Sequence, residues 1–316
     1  MKSELLALAI ILSILVGLPV AAFGYQQART AAAGVQVVEL NALAPESGGW
    51  QPDILRVTAG ERVRLRIHSP AVLHGFAIGR TEIGPVDVWP GKVVEIEFSI
   101  AEPGTYTFYC TRWCSANHWR MRGTLEVTDA DGDIPLPGGE PAPYIALGLD
   151  LDAEREPVAA PARLPSAARG AELGLTPPAI GPADAPVGVF AALRVAHPQP
   201  SDDALWDLTA YAWQRNTTIA ALSLGRQLYA RDCAACHGVD GRGEGVMARD
   251  LSEETGDLSD PTQLFGVPDA LLHGKIVRGG MGTGMPSWGD IYTDEEAWAL
   301  VAFLRTFTFA FPQSVE

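Results

Sequence analysis

The sequence predicts a multidomain chain: an apolar N-terminal helix, then an all-β sandwich or barrel, then an all-α domain. Three observations predict it. A run of nineteen uncharged residues, Leu5 to Phe23, opens the chain. Segments in which polar and apolar residues alternate fill much of 35–128, and helix-period segments dominate from 217 to the end. At 316 residues, with 47% hydrophobic content and eight Trp, the chain can build two cored domains of about 100 residues each. A formal charge of −15 argues against nucleic-acid binding, which needs basic stripes to displace counterions.

The apolar run is just long enough to cross a bilayer core of about 30 Å. It exceeds the apolar core of a signal peptide, about 7–15 residues. Residues 1–30 are therefore expected to be a retained membrane anchor. The rival, a cleaved signal, would use the small residues Ala31-Ala32-Ala33. Either way the remainder is expected on the extracytoplasmic side of the cell membrane.

Over 35–128, Arg62–Ile67, Val93–Phe98 and Thr105–Tyr109 alternate with period two. Turn signals at Ala59-Gly60-Glu61, Trp89-Pro90-Gly91 and Glu102-Pro103-Gly104 separate them, as in an antiparallel sandwich. Residues 129–165, rich in Pro, Gly and acidic residues, are expected to form a semi-rigid linker. In 166–216, Ser201–Trp213 resembles Thr293–Leu304 near the C-terminus. Each has a cap, acidic residues, a Trp, and an aromatic further along the same face. The pair reads as a weak repeat, with 166–216 a cytochrome-like remnant that has no haem, or as two ordinary amphipathic helices. Residues 217–316 form the helical domain.

The only cysteines are Cys110, Cys114, Cys233 and Cys236, and each pair is followed closely by a His. That spacing favours cofactors over disulfides. Residues 110–121 read Cys-Thr-Arg-Trp-Cys-Ser-Ala-Asn-His-Trp-Arg-Met. Copper used for electron transfer takes thiolate and imidazole ligands with a weak axial thioether. A second Cys allows two thiolates to bridge two copper ions, and each ion then needs its own imidazole. His118 supplies one, and His74, in Leu73-His74-Gly75-Phe76, is the best candidate for the other. A Cys110–Cys114 disulfide or a zinc site would leave Met121 without a role. His68, on an alternating strand, reads as structural or surface.

The pattern Cys-x3-Cys-x3-His-x2-Met with an upstream His-Gly-Phe resembles the binuclear CuA site of cytochrome c oxidase subunit II, a cupredoxin-like Greek-key fold. The resemblance implies His74, Cys110, Cys114, His118 and Met121 as side-chain ligands and the Arg112 backbone carbonyl as the remaining weak ligand. Many subunit II sequences carry a Glu that helps hold magnesium where this chain has Arg112, so no such magnesium site is expected. Many also have two transmembrane helices where this chain shows one. Nitrous oxide reductase shares the copper motif, but after a propeller domain for which this chain has no room.

Cys233-Ala234-Ala235-Cys236-His237 is the attachment signature of a c-type haem. The thiols would form thioethers, and His237 would be one axial ligand. Gly284-Met285-Pro286 resembles the axial loop of class I cytochromes c and implies Met285 as the second axial ligand, with Met281 the alternative. His273 is less suited to that role, and Met247 reads as packing.

A copper domain followed by a cytochrome c domain resembles oxidase subunit II proteins with a fused cytochrome. This implies the electron-input subunit of a haem–copper terminal oxidase, passing electrons from a donor through haem and CuA to a catalytic subunit that reduces oxygen to water. The implied partners are subunit I and other oxidase subunits, and a quinol-oxidising complex or soluble carrier as donor. A CuA-type nitric oxide reductase subunit or a free electron carrier would use the same sites. A copper nitrite reductase would need three more His near one another, and only His68, His197 and His273 remain, in three regions.

Overall fold

The computed structural model describes residues 13–20, 34–115, 117–135, 140–251, 253–280 and 283–311. The chain divides into two compact units, Met1–Pro137 and Gly138–Glu316. Most of the expected anchor lies outside the described residues. The part within them includes a helical turn at Ser13–Gly17, and Ile14, Leu15, Val16, Leu18 and Val20 are each more than half exposed. No helix among the described residues is long and apolar enough to cross a membrane, so the expected transmembrane helix is not seen there.

The first unit is a sandwich of two sheets. One has the order β2-β1-β4-β7, from Trp50–Gln51, Val35–Ala42, Arg62–His68 and Val93–Phe98. The other has the order β3-β9-β8-β5-β6, from Ile54–Thr58, Arg122–Thr128, Gly104–Tyr109, His74–Ile78 and Val86–Val88. Alternation dictates which side chains point inward. In β4, Val63, Leu65 and Ile67 are buried, while Arg64 and Arg66 turn outward to Glu97 and Glu95. Such exposed pairs add little stability. The core is made by Leu40, Leu65, Ile67, Phe76, Phe108 and Leu125, all essentially inaccessible. Two pairings are parallel, β1 with β4 and β3 with β9, and therefore join strands far apart in sequence.

The second unit is helical: α1 Pro143–Ala146, α2 Ala167–Glu172, α3 Pro186–Ala196, α4 Asp202–Arg215, α5 Ile219–Asp232, α6 Ala234–His237, α7 Pro261–Leu264, α8 Asp269–Arg278 and α9 Asp294–Leu304. Side-chain caps start three of the long ones. Ser201 accepts from Ala204 N–H, Thr218 from Ala221 N–H, and Thr293 with Glu296 forms a capping box.

Two helix crossings in this unit are built alike. A Cβ on Gly225 of α5 would lie 2.1 Å from the Ala299 carbonyl oxygen and 2.8 Å from Phe303 Cβ on α9. A Cβ on Gly170 of α2 would lie 2.1 Å from the Asp207 carbonyl oxygen and 2.9 Å from Tyr211 Cβ on α4. In each crossing a glycine sits on the backbone of a residue that follows a Trp and precedes an aromatic by four. Gly225→Ala should therefore lower stability by about 1–3 kcal/mol through overpacking, although Ala is the better helix former. Thermal unfolding of the full chain, followed by its helical circular dichroism, measures this.

The stretch expected to be a linker is bound to the second unit along much of its length. Asp152 takes hydrogen bonds from Arg278 at 2.6 and 2.7 Å and from Lys275 at 3.1 Å. Those cations hold its carboxyl well below the usual carboxylate range. Val158 N–H donates to the Thr262 carbonyl, and Leu151 is buried. Segment 166–216 packs there too. Trp206 stacks between Phe190 at 4.4 Å and Phe265 at 4.6 Å, and Phe265 stacks on Phe309 at 5.1 Å. Beside them Arg305, wholly inaccessible, pairs with Asp269 at 2.7 Å, and Trp213 Nε1 donates to the same carboxylate.

Candidate metal centre and haem-attachment site

The loop over 110–121 joins β8 to β9, and the sheet fixes both of its ends. Cys110 N–H donates to the Met121 carbonyl at 3.1 Å, which extends the β8–β9 ladder by one rung. The loop lies against Gly75, the second residue of β5, and a Cβ there would meet Thr111 Oγ1 at 2.0 Å. Only glycine permits that approach. It also lets the Gly75 N–H point at Cys110 Sγ, 3.4 Å away.

Sulfur and nitrogen donors converge here. Cys110 Sγ lies 3.7 Å from His74 Nδ1, 3.9 Å from Cys114 Sγ and 3.1 Å from the Arg112 carbonyl oxygen. Cys114 Sγ lies 3.8 Å from His118 Nδ1 and 3.6 Å from Met121 Sδ. The candidate ligand atoms of His74, Cys110 and Cys114 all fall within 4.8 Å of one another. His74, Cys110 and Met121 are 0%, 3% and 1% exposed, so water is largely excluded. The two thiols are free. The hydrogen bond from Cys114 lowers Cys110, and that bond followed by burial raises Cys114. Two free thiols, two imidazoles and a thioether at this spacing suit copper, and sulfurs 3.9 Å apart form no disulfide.

Arg112 is bound by Asp87 of β6 through bonds of 2.7 and 3.1 Å. The Asp87 carboxylate raises the Arg112 guanidinium above its ordinary value. His68 lies in β4 between Asn41 and Val93, outside the cluster. Sequence reasoning missed Glu46, Trp50 and Asp87. None of them stands near the motif in sequence, and none belongs to a recognisable pattern.

In the second unit, Cys233 to His237 forms one helical turn after α5, with His237 N–H bonded to the Cys233 carbonyl at 2.9 Å. The loop after it folds back. Gly243, Gly245 and Met247 donate to the carbonyls of His237, Cys236 and Ala235. Tyr229 OH donates to the Gly238 carbonyl at 2.6 Å. Met247 thus serves the loop by its backbone. Burial pushes both thiols up and lowers His237, against a weaker backbone contact with Gly256. Burial thus favours the neutral imidazole, the form that ligates a metal, and its Nδ1 has no hydrogen-bond partner. Two free thiols and a half-buried imidazole on one turn fit covalent haem attachment.

Met285 is half-buried, with its carbonyl accepting from Gly280 N–H at 3.1 Å and its N–H bound to Thr283 Oγ1. Met281 lies outside the described residues. His273 is committed elsewhere, with Nε2 3.1 Å from Asp294 Oδ1 and its ring stacked on Trp298 at 4.4 Å.

Fold and site together define a cupredoxin-like domain followed by a cytochrome c domain. Residues 52–128 match the family model for the periplasmic domain of cytochrome C oxidase subunit II. Residues 220–304 match that for subunit III of cbb3-type cytochrome C oxidase. The chain thus joins a segment that matches a subunit II periplasmic domain to a later one that matches the cbb3-type subunit III model. Cytochrome c oxidase subunit 2 of Thermus thermophilus is 36% identical over 81 residues, 26% of this chain and 59% of that protein. Quinol oxidase subunit 2 of Sulfolobus acidocaldarius is 35% identical over 96 residues, 30% and 55% respectively. The solved periplasmic domain of cytochrome oxidase subunit II from Bradyrhizobium japonicum is 17% identical, with a TM-score of 0.27, and the match covers 30% of this chain and 86% of that one. The chain spans about half the length of the curated relatives it matches first.

Proposed function

We propose that the chain is subunit II of a haem–copper terminal oxidase, accepting electrons from a donor and delivering them to the catalytic subunit that reduces oxygen. One observation carries this reading: two thiols, two imidazole Nδ1 atoms, a thioether and a backbone carbonyl lie 3.1–3.9 Å apart in sequence of contact, on a chain that also bears Cys-Ala-Ala-Cys-His. Bound there, a copper pair and a haem would each supply reversible one-electron chemistry. His74 and His118 would hold one copper each, Cys110 and Cys114 would bridge them, and Met121 and the Arg112 carbonyl would be the weak ligands. Cys233 and Cys236 would carry the haem, with His237 and Met285 as its axial ligands. The protein contributes a nearly dry copper site anchored to a sheet, which limits rearrangement of ligands between oxidation states.

Segment 166–216 is, in this reading, a haem-less cytochrome-like remnant, supported by the matched glycine crossings. The N-terminal run is a retained tether that keeps both domains on the outer face of the membrane, supported by its unbroken apolar sequence.

Metal analysis and electron paramagnetic resonance of the purified chain test the proposal. Two copper ions and one haem per chain, with a seven-line copper hyperfine pattern, are expected. One copper with a four-line pattern overturns the binuclear site. Met285→Leu should abolish the Met–iron absorption band of the oxidised haem, and an intact band would transfer the role to Met281.

A further inference from the structure

The copper loop is held by its two strands at its ends, yet three residues separate Cys114 from His118, and no strand or long helix fixes the described residues of that stretch. The turn at Pro45–Ser47 reaches this stretch from the first strand's side of the sandwich. Glu46 Oε1 accepts from Asn117 Nδ2 at 2.8 Å and from Asn117 N–H at 3.3 Å. Asn117 immediately precedes His118, and its backbone N-caps the short turn His118–Arg120 that aims the imidazole. Four residues beyond Glu46, Trp50 Nε1 donates to the Met121 carbonyl at 3.2 Å in a buried setting. Its indole meets Phe76 and Phe108 edge-on, at 5.7 and 5.8 Å, and is tilted towards His74 at 6.2 Å.

We infer that Glu46 and Trp50 are positioning residues that brace the ligand loop from outside, Glu46 setting the span between Cys114 and His118 and Trp50 fixing the Met121 end. The inference rests on the reading of this loop as the metal-binding one. The hydrogen bonds of both residues go to the loop, to Asn117 and to the Met121 carbonyl, and to no ligand side chain. Glu46 acts through Asn117 by accepting hydrogen bonds, so an amide that keeps an oxygen in place preserves the brace, and a methyl group does not. Trp50 acts through a donor that Phe lacks, while Phe keeps most of the ring packing.

Three variants of the full chain, Glu46→Gln, Glu46→Ala and Trp50→Phe, test this in two states. With copper loaded, Glu46→Ala and Trp50→Phe should broaden or alter the hyperfine pattern and weaken copper binding about tenfold in competition with a chelator. Glu46→Gln should stay within about twofold of the parent. In the metal-free, reduced chain, the rate at which Cys114 is alkylated should rise several-fold in Glu46→Ala and not in Glu46→Gln. Asn117→Ala should reproduce Glu46→Ala, and the double variant should be no worse than either single one, as expected for partners in one interaction. A Glu46→Ala chain that matches the parent in both states overturns the brace. So does a Glu46→Gln chain as impaired as Glu46→Ala, because charge would then be the operative property. The metal-free alkylation rate keeps the two readings apart: a parent that binds one copper overturns the binuclear site and leaves that comparison intact.

Discussion

Replacing Cys114 by serine should reduce the copper content from two ions per chain to one or none and remove the seven-line hyperfine pattern. Cys114 is the hub of the cluster. Its sulfur lies within 3.9 Å of Cys110 Sγ, His118 Nδ1 and Met121 Sδ, so its loss severs one imidazole and the thioether from the other thiol. A serine hydroxyl fills nearly the same space but is a hard donor that copper disfavours beside thiolate. The remaining Cys110 with His74 could hold a single ion. Its four-line pattern would show that the electron is no longer shared. The paired measurement is metal content by mass spectrometry with the resonance spectrum. Two copper ions and seven lines in the Cys114→Ser chain would overturn the bridging role. Cys110→Ser should have a similar effect by freeing His74 and the Arg112 carbonyl.

Arg305→Met should destabilise the helical unit by about 3–5 kcal/mol, the usual cost of leaving one partner of a buried ion pair uncompensated. Arg305 is 0% exposed and holds three groups at once. Its guanidinium binds the Asp269 carboxylate and donates to the carbonyls of Leu264 and Val267. Methionine satisfies none of them, and Trp213 Nε1 would be left as the only donor to Asp269 among those recorded for this cluster. The double variant Arg305→Met with Asp269→Leu removes the stranded charge, and should recover part of the loss. Denaturant unfolding followed by helical circular dichroism separates the outcomes. A loss under about 1 kcal/mol for the single variant would mean that the pair does not hold segment 166–216 to the rest of the unit.

Much of the proposed copper site is legible in the sequence because its proposed ligands are local. Five of the six proposed ligand positions fall within 110–121, where spacing alone restricts which atoms can meet. His74 is legible because a glycine follows it, as a close approach of backbone to loop requires. The strands β4, β7 and β8 are legible for a similar reason: alternation is a property of neighbouring residues. The parallel pairings of β1 with β4 and β3 with β9 are not, because they join segments that share no local signal. Glu46, Trp50 and Asp87 are hidden for the same reason. The contacts of the proline-rich stretch are hidden in another way: its composition does not reveal that Asp152 and Val158 find partners on distant helices.

The last described residues of the chain also close the helical unit. Phe309 lies in its aromatic stack, and Ala310 exchanges backbone hydrogen bonds with Pro165 and Ala167. Translation delivers the N-terminal part of a chain first. Cys233 and Cys236 therefore emerge before Phe309, which completes the aromatic stack of the same unit, and before Ala310. This order leaves a biosynthetic interval in which both thiols are accessible on an unfinished domain, before burial raises their pKa values and makes them poorer nucleophiles.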